Sequence, residues 1–182
     1  SSLRRESQIR NQFAGLNVHP LRGNIQTRLR KLDEGQFDGI ILAAAGLERL
    51  GLRERIIQYL PVDISIPSVG QGALGIECLD TRQDIIDLLS GLDHEPTRVC
   101  VEGERSVSRL LGGSCTSPLG AYARILDNHL EMSAFVAAPN GSTCLRVVGR
   151  DEINKSGAMR LSQKLVNELS ALGARTLLDA IE

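Results

Sequence analysis

The chain of 182 residues is long enough for one or two domains, and with three Phe, two Tyr and no Trp it must build its core from Leu, Ile, Val and Ala. Twenty-one basic and 22 acidic side chains nearly cancel, so charge favours neither a nucleic-acid nor a membrane partner. No apolar run approaches the ~20 residues needed to cross a bilayer, and nothing resembles a secretory signal. The four cysteines form no CxxC pair, which predicts a cytoplasmic protein with reduced thiols and no bound metal.

The first sixty residues alternate between helical and strand patterns. The predicted elements are a helix from Leu3 to Phe13, a strand from Val18 to Leu21, a helix capped by Asn24 and ending near Gly35, a strand from Phe37 to Ala44, and helices over Ala45–Leu50 and Arg53–Leu60. This order is typical of a partial α/β domain with a parallel sheet.

A linker follows, punctuated by Pro61, Pro67, Gly70 and Gly72. The later elements are a strand over Ala73–Cys78, helices over Arg82–Leu89 and Glu95–Leu111, three strands over Ala121–Leu126, His129–Ala137 and Thr143–Val148, and a helix over Asn154–Leu172. Pro139-Asn140-Gly141 is a hairpin signal between the last two strands, because Asn and Gly tolerate positive φ. The pattern predicts a small α+β domain with a three-stranded antiparallel sheet and helices.

Basic residues are concentrated at the start of the chain. Seven lie between Ser1 and Lys31 against one acid, Glu6. Ser2, Arg4 and Arg5 precede or open a predicted helix, and Arg22, Gly23 and Arg28 surround the start of the next, where free backbone N–H groups favour anions. Two such cradles suit a polycarboxylate, since arginine binds carboxylates in a bidentate way. The alternative is a solvated basic helix face, which we prefer for Arg30 and Lys31.

One cysteine differs in its surroundings from the other three. Cys115 lies in a loop rich in Gly and Ser, between a predicted helix and Pro118. A thiolate there could form a stable thioether with a carbon electrophile. Cys78, Cys100 and Cys144 lie within predicted strands or a helix, so we interpret them as inert thiols.

Five stretches in order resemble the porphobilinogen deaminase family. They are Ser1-Ser2-Leu3-Arg4-Arg5, Leu21 to Arg28, Ile41 to Gly51, Val69 to Cys78, and Gly113-Ser114-Cys115 followed by Pro118 and Gly120-Ala121-Tyr122. In the family's cofactor-cysteine motif Ser117 stands where a β-branched residue is usual.

The resemblance implies a transferase of heme biosynthesis, a hydroxymethylbilane synthase, which joins four porphobilinogen units into hydroxymethylbilane with release of ammonia. It implies a dipyrromethane cofactor held by a thioether to Cys115, with Ser2, Arg4, Arg5, Arg22, Gly23 and Arg28 contacting the acetate and propionate groups of the cofactor and of the polypyrrole intermediates.

The resemblance also implies a domain map. Residues 1–66 would form most of a second, periplasmic-binding-protein-like α/β domain, 67–92 a crossover into a first domain, and 93–182 the C-terminal α+β domain. The family's catalytic aspartate would lie upstream of Ser1, so no catalytic residue is assigned here. We expect the chain to be a C-terminal portion, inactive without its N-terminal partner segment.

Two other interpretations compete with the enzyme. One is a non-catalytic anion-binding module of periplasmic-binding-protein type with Cys115 incidental, and the other is a metal site built from the four cysteines, which their spacing disfavours. A further expectation concerns Ala73–Cys78, which would be disordered, misplaced or paired with another chain because the other strands of its sheet are not in the sequence.

Overall fold

The computed structural model describes residues 2–114 and 116–180. The elements are α1 (Leu3–Gln12), α2 (Ile25–Asp33), α3 (Ala44–Arg49), a 3-10 turn (Arg53–Arg55), α4 (Gln83–Ser90), α5 (Glu95–Leu111), β1 (Leu119–Leu126), β2 (His129–Ala137), β3 (Cys144–Asp151), α6 (Lys155–Ala171) and α7 (Ala174–Asp179). No helix in this part of the chain is both long and apolar enough to span a bilayer.

The three strands form an antiparallel meander in the order β1-β2-β3. Asp127 and Asn128 join β1 to β2 with positive φ angles of 49° and 59°, the conformation of a two-residue type I′ turn. Gly141, with a φ of 77°, lies in the second hairpin, as the Pro-Asn-Gly sequence predicts. The predicted three-stranded antiparallel sheet is confirmed.

One face of the sheet packs against α5 and α6. Alternate residues of β2 point to this face and are fully buried, as the period of two requires. The helices contribute residues at helical spacing, and α5 ends where Gly112 adopts a left-handed conformation with a φ of 71°. The core residues are Leu130, Met132, Ala134, Val136, Val107, Leu111, Leu161, Leu165 and Leu169.

The opposite face of the sheet is covered by the N-terminal part of the chain. Phe135 and Ala137 pack against Ile66, which belongs to the segment Asp63–Gly72, and α1 lies over this segment. We call Asp63–Gly72 the connector. Gly120 permits this approach, because a Cβ there would collide with the carbonyl oxygen of Pro67 and lie 2.9 Å from the Phe135 ring. Both faces of β2 are therefore buried.

Three predicted strands are wrong. Within the described residues Val18–Leu21, Phe37–Ala44 and Ala73–Cys78 form no strand, and α3 begins at Ala44. A strand needs a paired neighbour for its N–H and C=O groups, and the described residues supply none to these segments. The periplasmic-binding-protein-like α/β unit predicted for this half is consequently not confirmed.

Two segments of the N-terminal half leave apolar side chains exposed. The helix predicted over Arg53–Leu60 reduces to a single 3-10 turn, since Ile57 is 96% exposed and has no core to pack against. Every residue of Ala73–Cys78 is exposed, including Leu74 and Ile76, so the apolar side chains of this segment have no cover within the described chain.

A buried carboxylate fastens the connector to the C-terminal domain. Glu104 of α5 is 4% exposed, and its two oxygens accept hydrogen bonds from the backbone N–H groups of Gly70 (2.6 Å) and Ala123 (2.8 Å). Burial raises the pKa of Glu104 above its ordinary value, although both N–H donors oppose this. The side chain joins α5, β1 and the connector at one point.

Glu104→Gln is expected to remove a pH-dependent component of stability. Because the folded-state pKa is raised, the stability linked to Glu104 is fully present below the ordinary pKa of glutamate and is lost as pH rises through the raised value. Glu104→Gln does not lose stability in this way as pH rises. Because glutamine has a single acceptor oxygen, however, one of the two backbone N–H groups loses its partner, which lowers the free energy of unfolding by about 1–3 kcal/mol. Urea unfolding across a pH series, with Glu95→Gln at the exposed start of α5 as control, should show wild type losing stability relative to Glu104→Gln as pH rises. Parallel profiles would contradict the assignment.

Candidate functional site

The first candidate cradle lies at the start of α1. The carbonyl of Ser2 accepts from the N–H groups of Arg5 (3.0 Å) and Glu6 (2.9 Å), whereas its side chain makes no capping hydrogen bond. Arg4 is only 9% exposed, and it donates through Nη1 to the Ile66 carbonyl (2.9 Å) and through Nη2 to Gln71 Oε1 (3.0 Å). Arg4 therefore faces the connector.

Arg5 contacts a different segment from Arg4 and lies within electrostatic range of Arg28 in the second cradle. Its Nη1 donates to the Ile41 carbonyl over 3.3 Å, and it is half-buried. Burial lowers the pKa of Arg5, and the positive charge of Arg28 lowers it further. Burial, followed by the charge of Arg5, lowers the pKa of Arg4 to about 10. Arg4, Arg5 and Arg28 thus form a series of mutually repelling cations, which we call the arginine cluster.

The second cradle is built by the turn into α2. Asn24 Oδ1 accepts from the Thr27 N–H (2.8 Å), as predicted for an N-cap. Gly23 adopts a φ of 118°, and a Cβ there would lie 2.9 Å from Thr27 Cγ2. Arg28 folds back so that its Nε donates to the Gly23 carbonyl (2.7 Å), which fixes its orientation at the helix start. Arg22 is exposed beside it.

The charges of these arginines are not neutralised by any carboxylate in the part of the chain that the structure describes. Across residues 2–114 and 116–180, none of Arg4, Arg5, Arg22 and Arg28 has a carboxylate within 4.0 Å. Eight other arginines do: Arg10, Arg30, Arg55, Arg82, Arg98, Arg124, Arg150 and Arg160. Arg4 is buried and Arg5 and Arg28 are partly buried, so holding these cations near one another without counter-charges is unfavourable, and a bound carboxylate would relieve the repulsion. The arrangement is chemically suited to a polyanionic ligand.

Cys115 itself lies outside the described residues. The loop around it starts after Gly112 and leads into β1 at Leu119. Its hydroxyl groups bond to one another: Ser117 Oγ accepts from the Ser114 N–H and lies 3.0 Å from Ser114 Oγ, which in turn is 2.9 Å from Thr116 Oγ1. The Ser117 hydroxyl thereby holds the backbone N–H of Ser114, a bond that a β-branched apolar residue could not make.

The remaining cysteines are unpaired thiols in different settings. Cys78 is exposed, Cys144 is half-buried, and Cys100 lies in the core, where burial and then the nearby Glu104 raise its thiol pKa. In the described residues no three His, Cys, Asp or Glu side chains are grouped as metal ligands would be.

Sequence reasoning missed the polar residues that hold α1 in place. Gln8 is fully buried one turn after Arg4, and Arg146 reaches α1 from β3. Glu104 carried a usable signal, because it lies between Cys100 and Val107 on the apolar stripe of α5, where an acid must find partners. Arg146 carried none, since its partners are remote in sequence.

The structure combines a small α+β domain with an N-terminal segment in which arginines lie near one another. Residues 1–87 match the family model described as porphobilinogen deaminase, dipyromethane cofactor binding domain, and residues 98–171 match that described as porphobilinogen deaminase, C-terminal domain. The chain belongs to the porphobilinogen deaminase family.

Individual relatives agree with the family models. The chain is 51% identical over 183 residues to the porphobilinogen deaminase of Nitrosomonas europaea and 52% identical over 181 residues to that of Thiobacillus denitrificans. A more distant relative, from Desulforamulus reducens, is 39% identical over 181 residues. Each alignment covers 100% of this chain and 58% of the relative, so the chain spans somewhat more than half the length of these proteins.

Proposed function

We propose that this chain forms the cofactor-holding part of a hydroxymethylbilane synthase, the transferase that joins four porphobilinogen units with release of ammonia in tetrapyrrole and heme biosynthesis. Cys115 would carry a dipyrromethane cofactor through a thioether, and the arginine cluster would bind the acetate and propionate groups. When bound, dipyrromethane supplies the terminal pyrrole from which the product is extended. The partners of this chain would be porphobilinogen, the polypyrrole intermediates and the remaining length of the enzyme.

The observation that carries this proposal is the arginine cluster, which has no carboxylate partner among residues 2–114 and 116–180. Even with a pKa near 10, Arg4 remains protonated at neutral pH, so three cations persist close together. Each charge-assisted hydrogen bond to a ligand carboxylate contributes about 1.5–3 kcal/mol. A ligand with several carboxylates, such as a dipyrromethane bearing acetates and propionates, matches several cations at once.

The contacts of each arginine suggest distinct roles. Among the described residues Arg28 donates only through Nε, to the Gly23 carbonyl, and Arg5 only through Nη1, so the other guanidinium nitrogens are available for a ligand. Arg22 is exposed at the same turn, with Gly23 allowing close approach of the backbone, and the Ser2 hydroxyl makes no capping bond. Arg4 contributes charge but spends two donors on the connector. We propose Arg5, Arg22 and Arg28 as direct carboxylate ligands. Ser2 and Gly23 would contact the same ligand through a hydroxyl and the backbone, and Arg4 would contribute its positive charge from its position against the connector.

The proposed domain map assigns residues 1–66 to the anion-binding domain, 67–92 to a crossover and 93–182 to the domain that bears Cys115. The exposed apolar side chains of Leu74, Ile76 and Leu79 support a crossover that packs on parts of the enzyme outside this chain. The catalytic aspartate would also lie there. We propose a cytoplasmic location, which the unpaired thiols of Cys78, Cys100 and Cys144 support.

The decisive experiment is the intact mass of the complete gene product, with peptide mapping across Cys115. An increment equal to dipyrromethane on the Cys115 peptide is the expected result. An unmodified Cys115 in a protein that nevertheless consumes porphobilinogen would refute the thioether. The alternative of a non-catalytic binding module receives no support from the relatives, all of which are named as deaminases.

A further inference from the structure

Arg146 of β3 crosses from the C-terminal sheet to the N-terminal part of the chain. Its Nη2 donates to Gln8 Oε1 (3.1 Å) and to the Ile64 carbonyl (3.2 Å), and its Nη1 donates to the Asp63 carbonyl. The guanidinium carbon lies 5.9 Å from the centre of the Phe135 ring. In the described chain Arg146 has no carboxylate within 4.0 Å, so its donors serve α1 and the connector.

Gln8 connects Arg146 to the arginine cluster through hydrogen bonds. Its side chain is fully buried, and its Oε1 accepts from the Ile66 N–H (2.8 Å) as well as from Arg146. Its Nε2 donates to the carbonyls of Arg4 (2.9 Å) and Ile66 (3.1 Å). The Ile66 carbonyl also accepts from Arg4 Nη1 (2.9 Å). Arg146 is therefore two hydrogen bonds from the Arg4 backbone carbonyl and three from the Arg4 guanidinium, and Arg5 is the next residue along α1.

We propose that Arg146 is a positioning residue that fixes α1, and with it Arg4 and Arg5, relative to the domain that bears Cys115. The inference rests on the proposed function and deepens it. A buried glutamine amide can rotate or shift unless all its polar atoms are held, and Arg146 supplies one of the two donors to Gln8 Oε1. Loss of that donor frees the amide and the helix turn that it anchors.

The strand offers a matched control four residues away. Arg150 lies on the same face of β3 but pairs with Glu131 within the sheet (Nε–Oε2 2.9 Å) and does not touch α1. Removing Arg150 therefore perturbs the strand and its charge to a similar degree without touching Gln8. The test compares three variants of the complete gene product with wild type: Arg146→Gln, Arg146→Lys and Arg150→Gln.

Arg146→Gln is expected to raise the KM for porphobilinogen roughly tenfold with a smaller change in kcat, the loss typical of one misplaced charge-assisted contact. Amides of residues 4–12 and of Ile66 should exchange with deuterium faster, while those of α6 keep their protection. Arg146→Lys, which can still donate to some of these acceptors, should raise KM less than Arg146→Gln does. Arg150→Gln should match wild type in both KM and hydrogen exchange.

A double-mutant cycle with Gln8→Ala sharpens the test, since two residues acting through one hydrogen bond have effects that do not add. A KM in Arg146→Gln equal to that in Arg150→Gln would overturn the positioning role, and so would faster exchange of α1 without any change in KM. Absence of porphobilinogen turnover in wild type would instead overturn the proposed function, so the two failures are distinguishable.

Discussion

Replacement of Cys115 by serine is expected to yield a protein with the mass of the unmodified polypeptide and no porphobilinogen turnover. A thiolate reacts readily with carbon electrophiles near neutral pH, whereas a serine hydroxyl stays protonated and is a much weaker nucleophile. Without the covalent anchor, only the arginines would hold dipyrromethane, and it would dissociate during purification. Intact-mass measurement of the complete gene product, before and after incubation with porphobilinogen, checks the result.

Cys78 is the matched control for this substitution. Its thiol is exposed, so it is open to the same reagents as a loop cysteine, but it lies outside the arginine cluster and the Cys115 loop. Cys78→Ser should keep the full mass increment and the wild-type rate. An increment that persists in Cys115→Ser, or that disappears in Cys78→Ser, would show that the cofactor is attached elsewhere.

The C-terminal domain was predictable because its signals are local. The end of α5 at Leu111 follows from Gly112, the second hairpin from Asn140-Gly141, and the span of α6 from apolar residues repeating at helical spacing. Each of these features depends on residues within a few positions of one another. The boundaries of α5 and β2 therefore agree with the structure.

The strands predicted in the N-terminal half failed for the opposite reason. An apolar run such as Phe37–Ala44 is compatible with a central strand, but a strand also needs neighbours, and those come from elsewhere in a protein. In the described residues no such neighbour pairs with it. Amino-acid composition gives the preference of a segment for strand or helix, whereas the pairing of a strand depends on remote parts of the chain.

The candidate site shows the same division. The arginine cluster could be predicted from the sequence, because Arg4, Arg5 and Arg28 occupy the first turns of helices whose starts are locally encoded. The inward orientation of Arg4 could not, because its partners Ile66 and Gln71 lie more than sixty positions away. The sequence identifies which arginines lie at the helix starts. Only the packing of α1 on the connector shows that Arg4 faces the connector whereas Arg5 contacts Ile41.

Substitution of Arg5 or Arg28 by glutamine is expected to weaken binding of porphobilinogen and the growing chain by about 10- to 150-fold each. This range corresponds to one charge-assisted hydrogen bond of about 1.5–3 kcal/mol, at 1.4 kcal/mol per tenfold change. Because the two cations repel each other and share one polyanion, the effects in Arg5→Gln/Arg28→Gln should not add. Steady-state KM, together with cofactor occupancy by mass, measures the loss.

Arg30→Gln provides the control on the same helix. Arg30 lies two residues from Arg28, but its side chain is 64% exposed and pairs with Glu34 at 2.8 Å, so its charge is already balanced. Its removal should leave KM and occupancy unchanged. Arg28→Gln and Arg30→Gln both lower the net charge by one, so a difference between them reflects the position of the charge and not the number of charges. Equal effects of Arg28→Gln and Arg30→Gln would mean that α2 attracts anions only through its overall charge, and the arginine cluster would then not be a binding site.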